Sequence, residues 1–158
     1  MSMNEVRRIY QAAEGYAALG LTTEAWDLLD SLPIEAKLGR PAIQLQVNLL
    51  VQAEEYRKAS FLAETLCRLD PEDTEILVLV AKLRYKGDDL QGAIEWLDQI
   101  GPKCVDNAEF HYMRAQFQAK IRDIESAKIT LGLIRQRWPN LCERMVDDPA
   151  FDAIFGAG

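Results

Sequence analysis

Residues 54–71 read EEYRKASFLAETLCRLDP, with two small residues, Ala59 and Ala63, one helical turn apart. The arrangement recurs along the chain. The segments TTEAWDLLDSL, EYRKASFLAETL, DLQGAIEWLDQI and DIESAKITLGLI align on Ala25, Ala59, Ala93 and Ala127, each 34 residues after the one before. Four residues beyond these alanines stand Leu29, Ala63, Leu97 and Leu131, and seven beyond stand Leu32, Leu66, Ile100 and Ile134. Twelve residues before them come Ala13, Val47, Ala81 and Ala115. Four copies in one register define an internal repeat.

Each unit divides into two stretches whose apolar residues recur every three or four positions, a helical period. VRRIYQAAEGYAAL and AEFHYMRAQFQAKI represent the first kind, and TEAWDLLDSL the second. The breaks between them have turn chemistry. Gly20 and Gly87 suit the left-handed residue after a helix end. Asp88 with Gln91, and Asp106 with Glu109, have capping-box spacing, and Asp123 is placed to cap the next helix. Arg40-Pro41 and Asp70-Pro71 read as helix starts, while Pro33 and Pro102 end their helices. The expected chain is all-α, about eight short helices in antiparallel pairs. Antiparallel helices joined by a tight turn cross most closely near it, where a large side chain would overpack the site at a cost of about 1–3 kcal/mol. Alanine lets the ridges of one helix settle into the grooves of the other. One pair cannot bury both of its faces, so it stacks on the next.

At 158 residues and 49% hydrophobic content the chain can bury a real core, which excludes a disordered chain. Its formal charge of −7 argues against nucleic acid or an anionic membrane as partner, since both demand clustered Lys and Arg. The longest apolar run, Ile76–Ala81, is too short to insert into a membrane, and charges at Glu5, Arg7, Arg8 and Glu14 interrupt any signal-peptide core. Cys67, Cys104 and Cys142 form an odd set without paired ligand spacing. They read as reduced, partly buried thiols, and the expected location is cytoplasmic.

The pattern resembles the tetratricopeptide-repeat family, whose unit is a helix–turn–helix of this length. The resemblance rests on Ala13, Val47, Ala81 and Ala115 in the first helices, on Ala25, Ala59, Ala93 and Ala127 in the second, and on Pro71 and Pro139 at unit ends. It covers about Val6 to Pro139. It implies a right-handed superhelical solenoid forming one domain, with repeats at approximately 6–39, 40–73, 74–107 and 108–139. Ile9, Ile43, Leu77 and His111 replace the usual large aromatic, and Arg84 and Arg114 stand where apolar residues are expected. These departures mark the fourth unit, and the first, as irregular end repeats. Residues 140–158 carry Leu141, Met145, Phe151, Ile154 and Phe155, and are expected to form a C-terminal capping helix or turn, the alternative being an exposed docking segment.

No catalytic constellation is present: GxxxxGK, GxGxxG, HExxH and GxSxG are all absent. The expectation is a non-enzymatic chain with no cofactor and no metal. His111, the lone histidine, reads as a packed, hydrogen-bonded interior residue. The pairs Glu54–Glu55, Asp88–Asp89 and Asp147–Asp148 read as solvated caps.

The resemblance further implies a concave groove lined by the first helices. Carried over position by position, it consists of Arg7, Tyr10, Glu14 and Ala17, then Gln44, Asn48 and Val51, then Val78, Lys82, Tyr85 and Lys86, and finally Tyr112, Gln116, Ala119 and Lys120. Tyrosine offers rigid amphipathic contact area, and Asn and Gln can pair with an extended peptide backbone. The partner is then a protein or peptide of unknown identity. The basic clamp that grips chaperone carboxylate tails is missing, since Tyr10, Glu14, Leu45, Glu75 and Leu79 occupy its places; one unit later only Asn48 is recovered, beside Glu109 and Met113. The leading expectation is an adaptor or assembly scaffold. The alternatives are a chaperone like those of type III secretion, similar in size and acidity, and a self-assembling structural subunit that forms oligomers.

Overall fold

The computed structural model describes residues 1–156; Ala157 and Gly158, the end of the expected cap, lie outside the described residues. Among those described, every regular element is helical: α1 (Met3–Ala18), α2 (Thr22–Asp30), α3 (Ile34–Lys37), α4 (Arg40–Gln52), α5 (Tyr56–Leu69), α6 (Thr74–Lys86), α7 (Leu90–Ile100), α8 (Ala108–Lys120), α9 (Ile124–Arg137), α10 (Cys142–Asp147) and α11 (Asp152–Phe155). The chain forms two compact units, Met1–Asp88 and Asp89–Gly158, whose boundary falls within the third repeat, between α6 and α7.

The repeat positions build the core. All sixteen residues of the 34-residue register, from Ala13 and Ala25 to Leu131 and Ile134, are at most 5% exposed. Ala25, Ala59, Ala93 and Ala127 are completely buried, as the tight helix crossings require.

In the first unit α1 begins with a capping box. Ser2 Oγ accepts from the Glu5 N–H at 3.2 Å, and Glu5 Oε2 accepts from the Ser2 N–H at 2.7 Å. α1 pairs with α2, and α5 packs against both α4 and α6. α4 starts at Arg40 with proline in its first turn, as expected. α6 does not start at Asp70-Pro71. Asp73 caps it by accepting from the Glu75 and Ile76 N–H groups, while Asp70 and Asp73 together hold the Arg40 guanidinium at 2.9 and 2.7 Å.

The turns after the first helices share one geometry. Gly20, Glu54, Asp88 and Arg122 have φ of 75°, 56°, 62° and 65°, so the left-handed residue also recurs every 34 residues. Gly87, expected in that role, has φ −84° and the next residue takes it. Leu21, Glu55 and Asp123 each donate their N–H 2.9 Å back to the carbonyl five residues earlier, the bond that closes a Schellman turn.

In the second unit Asp89 rather than Asp88 caps α7, accepting from the Gly92 N–H at 2.9 Å. Asn107 rather than Asp106 caps α8 at 2.9 Å, because Asn107 has the extended backbone a cap needs and Asp106 is engaged by Arg137 at 2.7 Å. Asp123 caps α9 as expected. The fourth repeat is regular, with α8 and α9 of 13 and 14 residues, matching α4 and α5. The short second helices are α2, 9 residues, and α7, 11 residues; Pro33 and Pro102 follow them closely. Beyond α9 the tail turns at Pro139–Leu141 and folds back through α10 and α11. Met145 and Phe151 join a buried cluster with Tyr112, Ala115, Leu131 and Ile134.

Candidate protein-binding surface

On α1 the spacing of Arg7, Tyr10 and Glu14 places all three along one helix face. The Tyr10 hydroxyl donates to Glu14 Oε1 at 2.9 Å; burial, and then this bond, push the phenol up to about 12. On α4 the Gln44 amide donates to Asn48 Oδ1 at 3.3 Å. The C-terminal ends of α1 and α4 are tied by Gln52, whose amide donates to the Ala17 carbonyl at 3.3 Å. Toward their N-terminal ends a cleft of about 680 Å³ opens, walled by Met3, Val6, Tyr10, Leu32, Pro33 and Ala42, with Arg7 and Glu35 as its charges. Pro33 contributes to it by ending the α2 segment, so that the one-turn α3 forms part of the rim.

The α6 residues divide. Val78 is buried, Lys82 is exposed and Tyr85 is half-buried. Lys86 lies 5.5 Å over the ring of Tyr56, in a separate cleft of about 480 Å³ at the turns, shared with Glu54, Glu55, Lys58 and Asp88. Arg57 closes that cleft by donating to the Gly87 carbonyl at 3.0 Å.

In the second unit the predicted groove positions Tyr112 and Gln116 are not open. The chain's own tail covers them. The Tyr112 hydroxyl lies 2.9 Å from Asp148 Oδ2 and 3.2 Å from the Arg144 carbonyl oxygen, and Gln116 Nε2 donates to Asp148 Oδ2 at 2.8 Å. The Arg144 guanidinium sits 4.0 Å over the Tyr112 ring and pairs with Glu109. The Phe151 ring meets Tyr112 edge-on at 5.6 Å. Burial, then the bond to Asp148, push the Tyr112 phenol far up. Burial alone would raise the Asp148 carboxyl, but the donors Ala150 N–H, Gln116 and Tyr112 outweigh it and hold the group below its ordinary value. Asp148, read from sequence as a solvated cap, is therefore an anchor. Ala119 is also buried, and Lys120 is exposed.

The register links the two units residue by residue. Tyr112 stands three periods of 34 after Tyr10, and Gln116 three after Glu14. On α1 the tyrosine finds its acceptor on its own helix, and on α8 it finds it on the tail. The apolar tail residues were visible in sequence; the anchoring by Asp148 and Arg144 was not, because it joins side chains more than thirty residues apart.

His111 is the interior residue expected. Its Nε2 lies 2.9 Å from the Val105 carbonyl and its Nδ1 3.2 Å from Arg114 Nη2, so a neutral ring with the proton on Nε2 satisfies both contacts. All three cysteines are unpaired thiols, and burial pushes Cys67 up to about 11 and raises Cys104. Among the described residues no group of three or more His, Cys, Asp or Glu could hold a metal ion, and no helix is long and apolar enough to cross a membrane.

Helices packed in adjacent pairs at a 34-residue period define a helical-repeat protein. The tetratricopeptide-repeat family model matches residues 50–117, two periods of 34, so the resemblance read from the sequence holds over that stretch. Tetratricopeptide repeats generally mediate protein–protein interaction. No curated protein matches the chain. No solved structure matches it either.

Proposed function

We propose that this chain is a non-enzymatic adaptor or assembly module that seats a peptide or short helix of a partner protein against its first helices. The observation that carries this reading is the equivalence of Tyr10 and Tyr112. At α8 the tyrosine's face already holds a short segment, the chain's own tail, by a carboxylate and an aromatic ring. At α1 the same register position lines an open apolar cleft of about 680 Å³, large enough to take one or two apolar side chains of a partner. Arg7 at the rim favours a carboxylate beside them. The remaining first-helix positions Gln44, Asn48, Lys82, Tyr85 and Lys120 extend the proposal without defining it. The buried, raised thiols of Cys67 and Cys104 are compatible with a reducing cytoplasm.

The test compares capture of partners from the source cell by the parent and by an Arg7→Glu, Tyr10→Ala double variant, with circular dichroism to verify folding. The variant is expected to lose the specific partners while keeping its helical signal; retention of the same partners moves the binding surface away from α1. Light scattering across concentration separates the adaptor, which stays small until its partner is added, from a self-assembling subunit, which grows alone.

A further inference from the structure

We infer that the cleft between α9 and the tail helices is a second docking surface, fitted to an acidic amphipathic helix of a partner protein. It lies on the second helix of the last repeat and stands independently of the first-helix reading. The cleft holds about 320 Å³ and is walled by Leu131, Met145, Val146, Ile154 and Phe155. Val146 and Phe155 are 65% and 47% exposed, so apolar surface faces solvent there.

Gly132 is among the residues that line the cleft. Glycine in a helix interior is less favourable than any residue but proline. A Cβ at Gly132 would meet nothing within 4 Å, so no packing inside the molecule calls for glycine. Its lack of a side chain does one thing at this place: it lets an incoming backbone come close to α9.

The charges choose the partner. Among the described residues, Lys128 and Arg135 are the charged residues that line the cleft, in a chain of net charge −7. They stand seven residues apart, two turns of α9, or about 10.5 Å. A second helix laid along α9 with carboxylates seven residues apart meets both cations, and its apolar residues between them fill the cleft over Gly132. A fatty acid has one carboxylate and engages one cation only. Lys128 is held weakly, with Nζ 4.0 Å from Glu125 Oε1, so it is available to a better acceptor.

Fluorescence anisotropy on the full chain tests this. The probe is a labelled, amidated synthetic helix with two glutamates seven residues apart and leucine and phenylalanine between them; the control carries lysines in place of both glutamates. The acidic probe is expected to bind and the lysine control to fail. Arg135→Glu, at an exposed position, and Gly132→Leu are each expected to weaken the acidic probe by roughly tenfold or more. Gly132→Leu should leave the thermal melt unchanged or raise it. Equal binding of the two peptides, or an affinity that neither variant moves, overturns the proposal. Sedimentation of the chain alone checks the remaining occupant: a dimer dissolved by Gly132→Leu would assign the cleft to a second copy and overturn the partner named here.

Discussion

His111 sits among Phe110, Trp138 and Arg114, and burial lowers its pKa; the Val105 carbonyl opposes that shift, while the nearby guanidinium of Arg114 adds to it. An unfolded chain protonates this side chain near 6.5, whereas the folded chain holds it neutral to lower pH. Between those two values the unfolded state binds the proton and the folded state does not, so stability is full above about 6.5 and falls as the pH drops through the lowered folded value. His111→Gln preserves a donor for Val105 and an acceptor for Arg114 without a titrating ring. Urea midpoints from pH 7.5 to 5 should fall for the parent and stay nearer level for the variant. Parallel curves would show that this ring does not contribute the pH dependence. The sequence named His111 as interior from its register alone, but its two partners come from a turn and from the next turn of α8.

Each first helix ends on a left-handed residue, and three of the four are not glycine. That conformation brings a Cβ close to the following carbonyl oxygen, at a cost of roughly 1–2 kcal/mol for an ordinary residue. Arg122 is exposed and its side chain makes no hydrogen bond or ion pair among the described residues, so the backbone term stands almost alone there. Arg122→Gly is expected to stabilise the chain by about 0.5–1 kcal/mol, the strain relieved less the extra freedom glycine gives the unfolded chain. Chemical denaturation measures it; a loss of stability of similar size would mean the Arg122 side chain matters more than its backbone. Helix starts expected from the sequence fall within one to three residues of their places, and the misses at α7 and α8 share one cause. Asp88 and Asp89, or Asp106 and Asn107, are chemically near-equivalent caps, and the choice depends on the backbone once the preceding turn has formed: Asp88 takes the left-handed position and leaves Asp89 to cap, while Asn107 has the extended backbone.

At the scale of the whole chain the tail matters most. Phe151 is completely buried against Tyr112, and Met145 is nearly so. Phe151→Ala removes a fully packed ring and should cost about 3–5 kcal/mol, read as a lower urea midpoint in the intact chain. Deleting residues 142–158 should go further and promote aggregation, since it strips the cover from Tyr112, Ala115 and Leu131. A truncated chain that melts like the parent and stays monodisperse would show that the tail is not a cap. Tyr112 and Gln116, placed by register in an open groove, are occupied for the same reason that the cap holds: a buried tyrosine needs a hydrogen-bond partner, and Asp148 supplies it.

The amino-acid sequence alone determined the helical class, the 34-residue period and the buried alanines, because helix periodicity and close helix crossings are local demands that every unit must meet in its own residues. Only the tertiary structure decided which first-helix positions stay open and which the tail covers. It also decided where the α1 and α9 clefts fall. Those outcomes depend on contacts between residues far apart in the chain, and a carboxylate such as Asp148 looks the same in sequence whether it meets water or a buried phenol.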